Sequence, residues 1–341
     1  MTSLYYRPIP LTGPERPDSA LPLAGGPLLF DRVEVLTRDA PPRIIPAQDA
    51  SDDALHRMAG MRAPVAGLDM ARVNIMGILN VTPDSFTDGG QHDTPEAALR
   101  HAQRMQGEGA DIIDIGGEST RPGAQTVPAG EETARTAPVI AALRDAGLTL
   151  PISIDTRKTA VAQAAIRAGA TLVNDVSGFT HDETLAAWCA AHDLPVCVMH
   201  AQGDPQTMQQ NPRYDDVLLD VYDFLATRIA ALEAAGIPRT RIIADPGIGF
   251  GKTQAHNLAL LARLSLFHSL GCPVLLGASR KKFIATLGHA PEPRDRVHGS
   301  VAVALAAAAQ GVQILRVHDV FATRSALTLW QATTKGIFDD T

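Results

Sequence analysis

Beyond about residue 72 the chain alternates short, continuous apolar runs with longer Ala-rich amphipathic stretches. The runs are VNIMGILNV (73–81), DIIDIGG (111–117), PISIDT (151–156), TLVNDV (171–176), PVCVMH (195–200), RIIADPG (241–247), PVLLGAS (273–279) and VQILRVHDV (312–320). Runs of this length, apolar throughout, suit strands covered on both faces in a parallel sheet. Helical periodicity between them predicts helices over 95–107, 129–146, 158–168, 182–192, 216–235, 257–270 and 297–310. Eight such repeats predict an α/β fold, a closed (β/α)8 TIM barrel over residues 71–341, with an open doubly wound sheet as the alternative. Residues 1–70 differ: they are rich in Pro, Gly and Asp, with one strand-like stretch, LFDRVEVLT (29–37). They read as an N-terminal extension of unknown role. It could add a hairpin to the barrel wall, lengthen a dimer contact, dock another protein, or form a weakly ordered arm. The final GIFDDT reads as a solvated tail.

Nearly every run finishes in polar residues: Asn80; Glu118, Ser119, Thr120 and Arg121; Asp155; Asn174 and Asp175; Met199 and His200; Asp245; Ser279, Arg280 and Lys281; Arg316, His318 and Asp319. In a barrel these ends share one face, where the βα loops build active sites. Asp155, Asn174 and Asp245 offer acceptors able to read the N–H edge of a flat nitrogen heterocycle, although buried Asp and Asn also simply cap helices. Arg121, Lys281, Arg316 and His318 are cationic or can become so, and with Asn80 nearby they suggest an anion site.

Charge and composition narrow this little. A net charge of −7 argues against nucleic-acid binding but not against a cationic cleft. With 45% hydrophobic and 20% charged residues the chain can bury a large core. Cys189, Cys197 and Cys272 are an odd, well-separated set, which suits a reduced compartment. No signal-peptide pattern or membrane-length apolar run occurs, and a cytoplasmic protein off the membrane is expected.

Two local motifs mislead. GIGFGKT (247–253) approximates a phosphate loop, but the required first Gly falls at Pro246. GASRK (277–281) approximates a nucleophile elbow whose closing Gly is Lys281, so Ser279 is not expected to be a hydrolase nucleophile. No zinc pattern is present. A Mg2+ held mainly by substrate phosphates and one protein oxygen, such as that of Asn80, suits the composition.

Taken together, MGILNVTPDSFTDGG (76–90), DIIDIGGESTRPGA (111–124), SIDTRK (153–158), VNDVSG (173–178), MHAQGDPQTMQ (199–209), DPGIGFGKT (245–253), GASRKKFIA (277–285) and RVHDV (316–320) resemble the dihydropteroate synthases. Eight strings in order, each at a predicted strand end, make the resemblance specific from about Arg72 onward. It implies a barrel that joins 6-hydroxymethyl-7,8-dihydropterin diphosphate to 4-aminobenzoate with loss of diphosphate, using Mg2+, as a homodimer. By position, Asp155, Asn174, Met199, Asp245, Phe250 and Lys281 resemble the pterin contacts. Asn80, Arg121, Arg316 and His318 resemble the diphosphate and Mg2+ ligands, with Asn80 as metal ligand. Thr120, Pro122 and Ser279 fall where aminobenzoate binds. Lys281, Arg316, Phe86 and Asp88 are expected to serve catalysis, the last two from a mobile first loop. The implied dimer contact lies on late helices, among them Val301–Ala309.

One position departs from the family: Arg157 replaces a residue that is often neutral, and a surface charge is the simplest expectation for it. A methyltetrahydrofolate–corrinoid methyltransferase shares the Asp and Asn contacts but has no use for GESTRPG and SRK. A catalytically inactive pterin binder is the other alternative.

Overall fold

The computed structural model describes residues 4–14, 16–82, 95–121, 123–204 and 206–335. The extension forms β1 (Tyr5–Leu11), β2 (Leu21–Pro22), β3 (Leu29–Leu36), β4 (Arg43–Pro46) and α1 (Asp52–Ala59). The expected strands follow as β5 (Asn74–Asn80), β6 (Ile112–Gly116), β7 (Ile152–Asp155), β8 (Leu172–Asp175), β9 (Val196–Met199), β10 (Ile242–Asp245), β11 (Leu275–Leu276) and β12 (Ile314–Val317). Between and after them lie α2 (Pro95–Gly107), α3 (Ala129–Asp145), α4 (Thr159–Ala168), α5 (Leu185–Ala191), α6 (Val217–Ala234), α7 (Gln254–Ala262), α8 (Lys282–Leu287), α9 (Val297–Ala308) and α10 (Val320–Lys335).

The eight later strands pair in parallel in the order β10-β9-β8-β7-β6-β5-β12-β11. The remaining seam is joined by a parallel bridge between Ala244 and Val274, with the Ala244 N–H donating to Pro273 O at 2.9 Å. The sheet is therefore a closed barrel, and the doubly wound alternative falls. The predicted helix 257–270 is interrupted: α7 starts earlier, in a capping box between Thr253 and His256, and stops before Arg263. A 3-10 segment, Leu264–Leu270, buried along its whole length, takes over there.

Register keeps one parity around the ring, pairing Met76 with Ile112, Asp114 with Ser153, Ser153 with Leu172, Asn174 with Cys197, Cys197 with Ile243, and Leu275 with Ile314. Met76, Ile112, Leu172, Cys197, Ile243, Leu275 and Ile314 form one buried cluster inside the barrel. Alternate residues such as Ile113, Ile115, Ile154 and Val173 pack outward beneath the helices. One step up five of the eight strands the inward positions turn polar: Asp114, Asp155, Asn174, Asp245 and Arg316. The barrel has an apolar floor and a charged bowl.

Val65, Leu68 and Met70 belong to the same inner cluster and close the floor from below. They sit on a tight hairpin in which Val65 and Leu68 exchange both backbone hydrogen bonds, at 3.2 and 2.9 Å. Ala66 and Gly67 at the tip take φ of 51° and 82°, as a primed turn requires.

Among the expectations for the extension, the weakly ordered arm does not hold. β1, β2 and β4 pair antiparallel with β3 in a sheet separate from the barrel. Phe30, Val33 and Met58 centre a small core of its own. This unit packs on the barrel wall. The Tyr5 hydroxyl donates to Asp223 at 2.9 Å, Ser265 Oγ donates to Pro8 O at 2.8 Å, and Arg38 reaches both Asp220 and Asp223 at 2.7 Å. On α9, Ala304, Ala307 and Ala308 line the chain's own core. Among the described residues no helix is long and apolar enough to cross a membrane.

Candidate active site in the barrel mouth

The centre of the bowl is Arg316 on β12. Its Nε donates to Asp114 Oδ2 at 2.6 Å and its Nη2 to Asp155 Oδ2 at 2.9 Å. Asn174 Nδ2 lies 3.4 Å from the same Asp114 oxygen, while Asp114 Oδ1, fully buried, has no partner. Two carboxylates thus share one guanidinium. Burial raises Asp155 to about 8; Arg316 opposes this and Asp114 reinforces it. Burial also raises Asp245, with Lys281 opposing. Burial alone would lower Arg316, but Asp114 and Asp155 outweigh it and hold the group firmly charged. Asp114 was not among the expected site residues. Its signal was parity: it alternates with the outward Ile113 and Ile115 and stands beside Ser153, one inward position below Asp155.

Lys281, at the N-cap of α8, lies over the Phe250 ring at 4.5 Å and donates to Ile248 O. Burial lowers it to about 8, Arg316 adds to the effect, and Asp245 and Asp155 resist. Asp245 Oδ1 accepts from the Gly247 N–H at 2.7 Å, which folds the 245–253 loop back across the mouth. Gly247 has φ of 66°, and a Cβ there would lie 1.9 Å from His200 O, so only glycine fits.

The lysine of GIGFGKT points inward. Lys252 Nζ contacts His200 Nδ1 at 2.7 Å, Gly247 O at 2.8 Å and Phe250 O at 3.1 Å, and it therefore ties the loop together rather than meeting a phosphate. Ser279 Oγ lies 3.0 Å from His318 Nδ1 and 3.2 Å from the His318 amide. Burial and the neighbouring Arg280, Arg316, Arg121 and Lys281 lower His318 to about 3, so at neutral pH it acts as an uncharged hydrogen-bonding group, not the cation its position suggested. Arg280 is occupied by Asp319, at 3.0 and 2.5 Å.

Inward glycines keep the bowl open. A Cβ on Gly277 would sit 3.7 Å from Arg316 Cδ and 3.8 Å from Asp245 Oδ2; one on Gly116 would sit 3.7 Å from both Asn80 Oδ1 and Asp155 Oδ2. Asn80, Asp155, Asn174, Met199, Asp245, Phe250, Lys281, Ser279, Arg316 and His318 thus come from seven strand ends to one face. Thr120 and the exposed Arg121 follow β6 at its rim. Phe86, Asp88 and Pro122 lie outside the described residues, as does GIFDDT.

A family model described as pterin binding enzyme matches residues 76–318. The chain belongs to the pterin-binding enzymes. Within that family it is 46% identical over 266 residues to dihydropteroate synthase of Escherichia coli K12, covering 78% of this chain and 93% of the relative. The Yersinia pestis dihydropteroate synthase, solved as a sulfonamide drug complex, superposes with a TM-score of 0.76 at 47% identity, covering 80% of this chain and 99% of that one. The Xanthomonas albilineans dihydropteroate synthase, solved with 4-aminobenzoic acid, gives a TM-score of 0.75 at 50% identity, covering 80% and 97%. The family match begins at Met76, so the extension sheet lies outside it.

One expectation is corrected in this pterin-binding enzyme. Arg157 is not a surface charge but 5% exposed, with Nη2 donating to Glu118 Oε1 at 2.7 Å. A guanidinium two residues beyond the end of β7 is carried inward by the strand that points Asp155 into the bowl, and burial holds it there only with a carboxylate partner.

Proposed function

We propose that the bowl condenses 6-hydroxymethyl-7,8-dihydropterin diphosphate with 4-aminobenzoate to 7,8-dihydropteroate and diphosphate, the transferase step of folate biosynthesis. The observation that carries the reading is the Asp114–Arg316–Asp155 group, flanked by Asn174, Asp245 and Lys281, directly above the apolar floor of a single-mouthed barrel in this family. Asp155, Asn174 and Asp245 face the amino and ring N–H edge of the pterin, and Lys281 donates to its carbonyl and ring nitrogen. Met199 and Phe250 pack on its faces.

The C–O bond between the pterin methylene and the diphosphate breaks, and its electron pair leaves on the diphosphate oxygen. Arg121 and Arg316 hold that charge, and His318 hydrogen-bonds it. The aniline nitrogen of aminobenzoate, placed by Thr120, Pro122 and Ser279, supplies the electrons of the new C–N bond and then releases one proton. No enzyme nucleophile takes part; catalysis is positioning and electrostatics. Phe86 and Asp88 are assigned to the loop that completes the site.

Mg2+ fits the donor set. Asn80 offers a hard amide oxygen beside the Asp155 carboxylate, and among the described residues no cluster of three His, Cys, Asp or Glu forms a separate metal cage. Asn80 would hold the ion together with diphosphate oxygens, where it supplies charge neutralisation on the leaving group. The exposed Phe321 and Leu329, eight residues apart on α10, support a homodimer through that helix. The composition and the buried, unpaired cysteines support a cytoplasmic enzyme.

The test is diphosphate release from the pterin diphosphate with Mg2+, with and without 4-aminobenzoate. Release that requires aminobenzoate and matches dihydropteroate formation is expected. Pterin binding without turnover would refute the assignment.

A further inference from the structure

Around the mouth runs a charge cluster that none of the assigned contacts uses. Arg157 and Lys158 follow β7 directly. Arg157 binds Glu118 of the β6–α3 loop at 2.7 Å and approaches Asp204 of the β9–α6 loop at 3.6 Å. Lys158 Nζ also donates to Glu118, and reaches Glu132 of α3 at 2.5 Å. Glu118 is 7% exposed, Glu132 fully buried and Arg157 5% exposed, whereas Asp204 is half exposed. The two buried carboxylates are matched by the two cations, so the cluster is neutral where water cannot screen it. Arg157 alone extends it outward to a second loop. Its field also bears on Asp175 at the end of β8, a carboxylate otherwise held by the Ser177 and Phe179 amides at 2.6 and 2.9 Å.

We propose that Arg157 is a positioning residue that fixes the β6–α3 loop against the β9–α6 loop and so preforms the aminobenzoate half of the site. The inference rests on the reaction proposed above. Glu118 stands two residues before Thr120 and three before Arg121, so its side chain anchors the segment that presents both. In the pterin half, Asp155, Asn174, Met199 and Asp245 sit on strand positions whose registry is set by barrel hydrogen bonds. A planar fork is suited to the task, because it can bind one carboxylate while keeping a second donor directed to another. Lysine at 157 would offer a point charge to one partner only.

The test uses Arg157→Met, Arg157→Lys, Asp204→Asn and the charge-balanced Arg157→Met/Glu118→Gln in the full chain. Expected for Arg157→Met is a rise in aminobenzoate KM of about tenfold, with the affinity for pterin diphosphate changed less than about twofold. Arg157→Lys is expected to recover part of that loss. Asp204→Asn, at an exposed and longer contact, should raise the same KM by a smaller factor and add nothing in the Arg157→Met background. The charge-balanced variant should regain thermal stability without regaining KM, because it removes the excess buried negative charge but leaves the loop unclamped. Hydrogen exchange over residues 118–121 should quicken in Arg157→Met whether or not substrate is present.

A lower Tm with unchanged aminobenzoate KM, or parallel losses of pterin and aminobenzoate binding, would overturn the proposal. Wild-type enzyme without turnover would refute the reaction instead, and the exchange measurement would still decide the clamp.

Discussion

Replacing Arg316 with Met separates the two jobs that the bowl's geometry gives this side chain. In the folded chain it bridges Asp114 at 2.6 Å and Asp155 at 2.9 Å, and Asp114 has no solvent exposure. Methionine fills similar volume but leaves Asp114 with only the long 3.4 Å contact to Asn174. Breaking a buried ion pair from one side costs about 3–5 kcal/mol. For a chain of this size that corresponds to a fall in Tm of roughly 4–7 °C. The loss has a pH signature. An orphaned carboxyl has a folded pKa above its unfolded value, so the penalty is fully present above the folded pKa and relieved as pH falls through it. Asp155 already stands near 8 with its partner in place and rises further without it, so the Tm gap between variant and wild type should widen as pH rises above 8 and level off below it.

Activity should behave differently. In the proposed reaction the guanidinium is also a positioned charge for the leaving diphosphate, and losing one such donor would lower kcat by about 10^2–10^3. Protonating the carboxyls returns no positive charge, so kcat/KM should stay low at every pH. Calorimetric Tm and aminobenzoate-dependent diphosphate release, both run from neutral pH to above about pH 9, read the two effects separately. A variant with kcat/KM within twofold of wild type would refute the assigned role. A Tm gap independent of pH would refute the charge argument.

Two further outcomes follow from the same structure. Lys281 stands near 8, and its ammonium is the form that donates to the pterin. Pterin affinity should therefore fall as pH rises through about 8, approaching tenfold per unit, and calorimetry on Lys281→Met should show a flat, weaker profile; an unchanged wild-type affinity at pH 9 would contradict this. Phe30 is the centre of the extension's own core, and Phe30→Ala should cost that core about 3–5 kcal/mol. The expected result is a separate low-temperature transition with kcat within twofold of wild type; a loss of kcat would tie the extension to catalysis.

Much of the barrel was legible because its signal is repeated. All eight apolar runs became strands within three residues of their predicted limits, since continuous Val and Ile runs between amphipathic stretches have few other stable arrangements. The polar strand ends likewise gathered on one face. What was missed depends on contacts distant in sequence. Asp114 sits mid-strand among isoleucines, and only pairing with β7 shows that it faces the bowl. Arg157 reads as a surface charge until Glu118, 39 residues away, is brought beside it. In the extension, β1, β2, β4 and α1 are short and weakly patterned, and they take shape by packing on β3 and on the 264–270 segment.

The hairpin at Val65–Leu68 has a kinetic consequence. It stoppers the barrel from below, so the bowl is a blind well with one opening shared by everything that enters or leaves. In the proposed reaction a pterin read by Asp155, Asn174 and Asp245 would lie at the bottom, and aminobenzoate held by Thr120 and Ser279 would lie across the top. Seated first, the upper substrate would obstruct the lower one. Under that reading loading would be ordered by plumbing, pterin before aminobenzoate, and the product would back out past the rim that admitted its two halves.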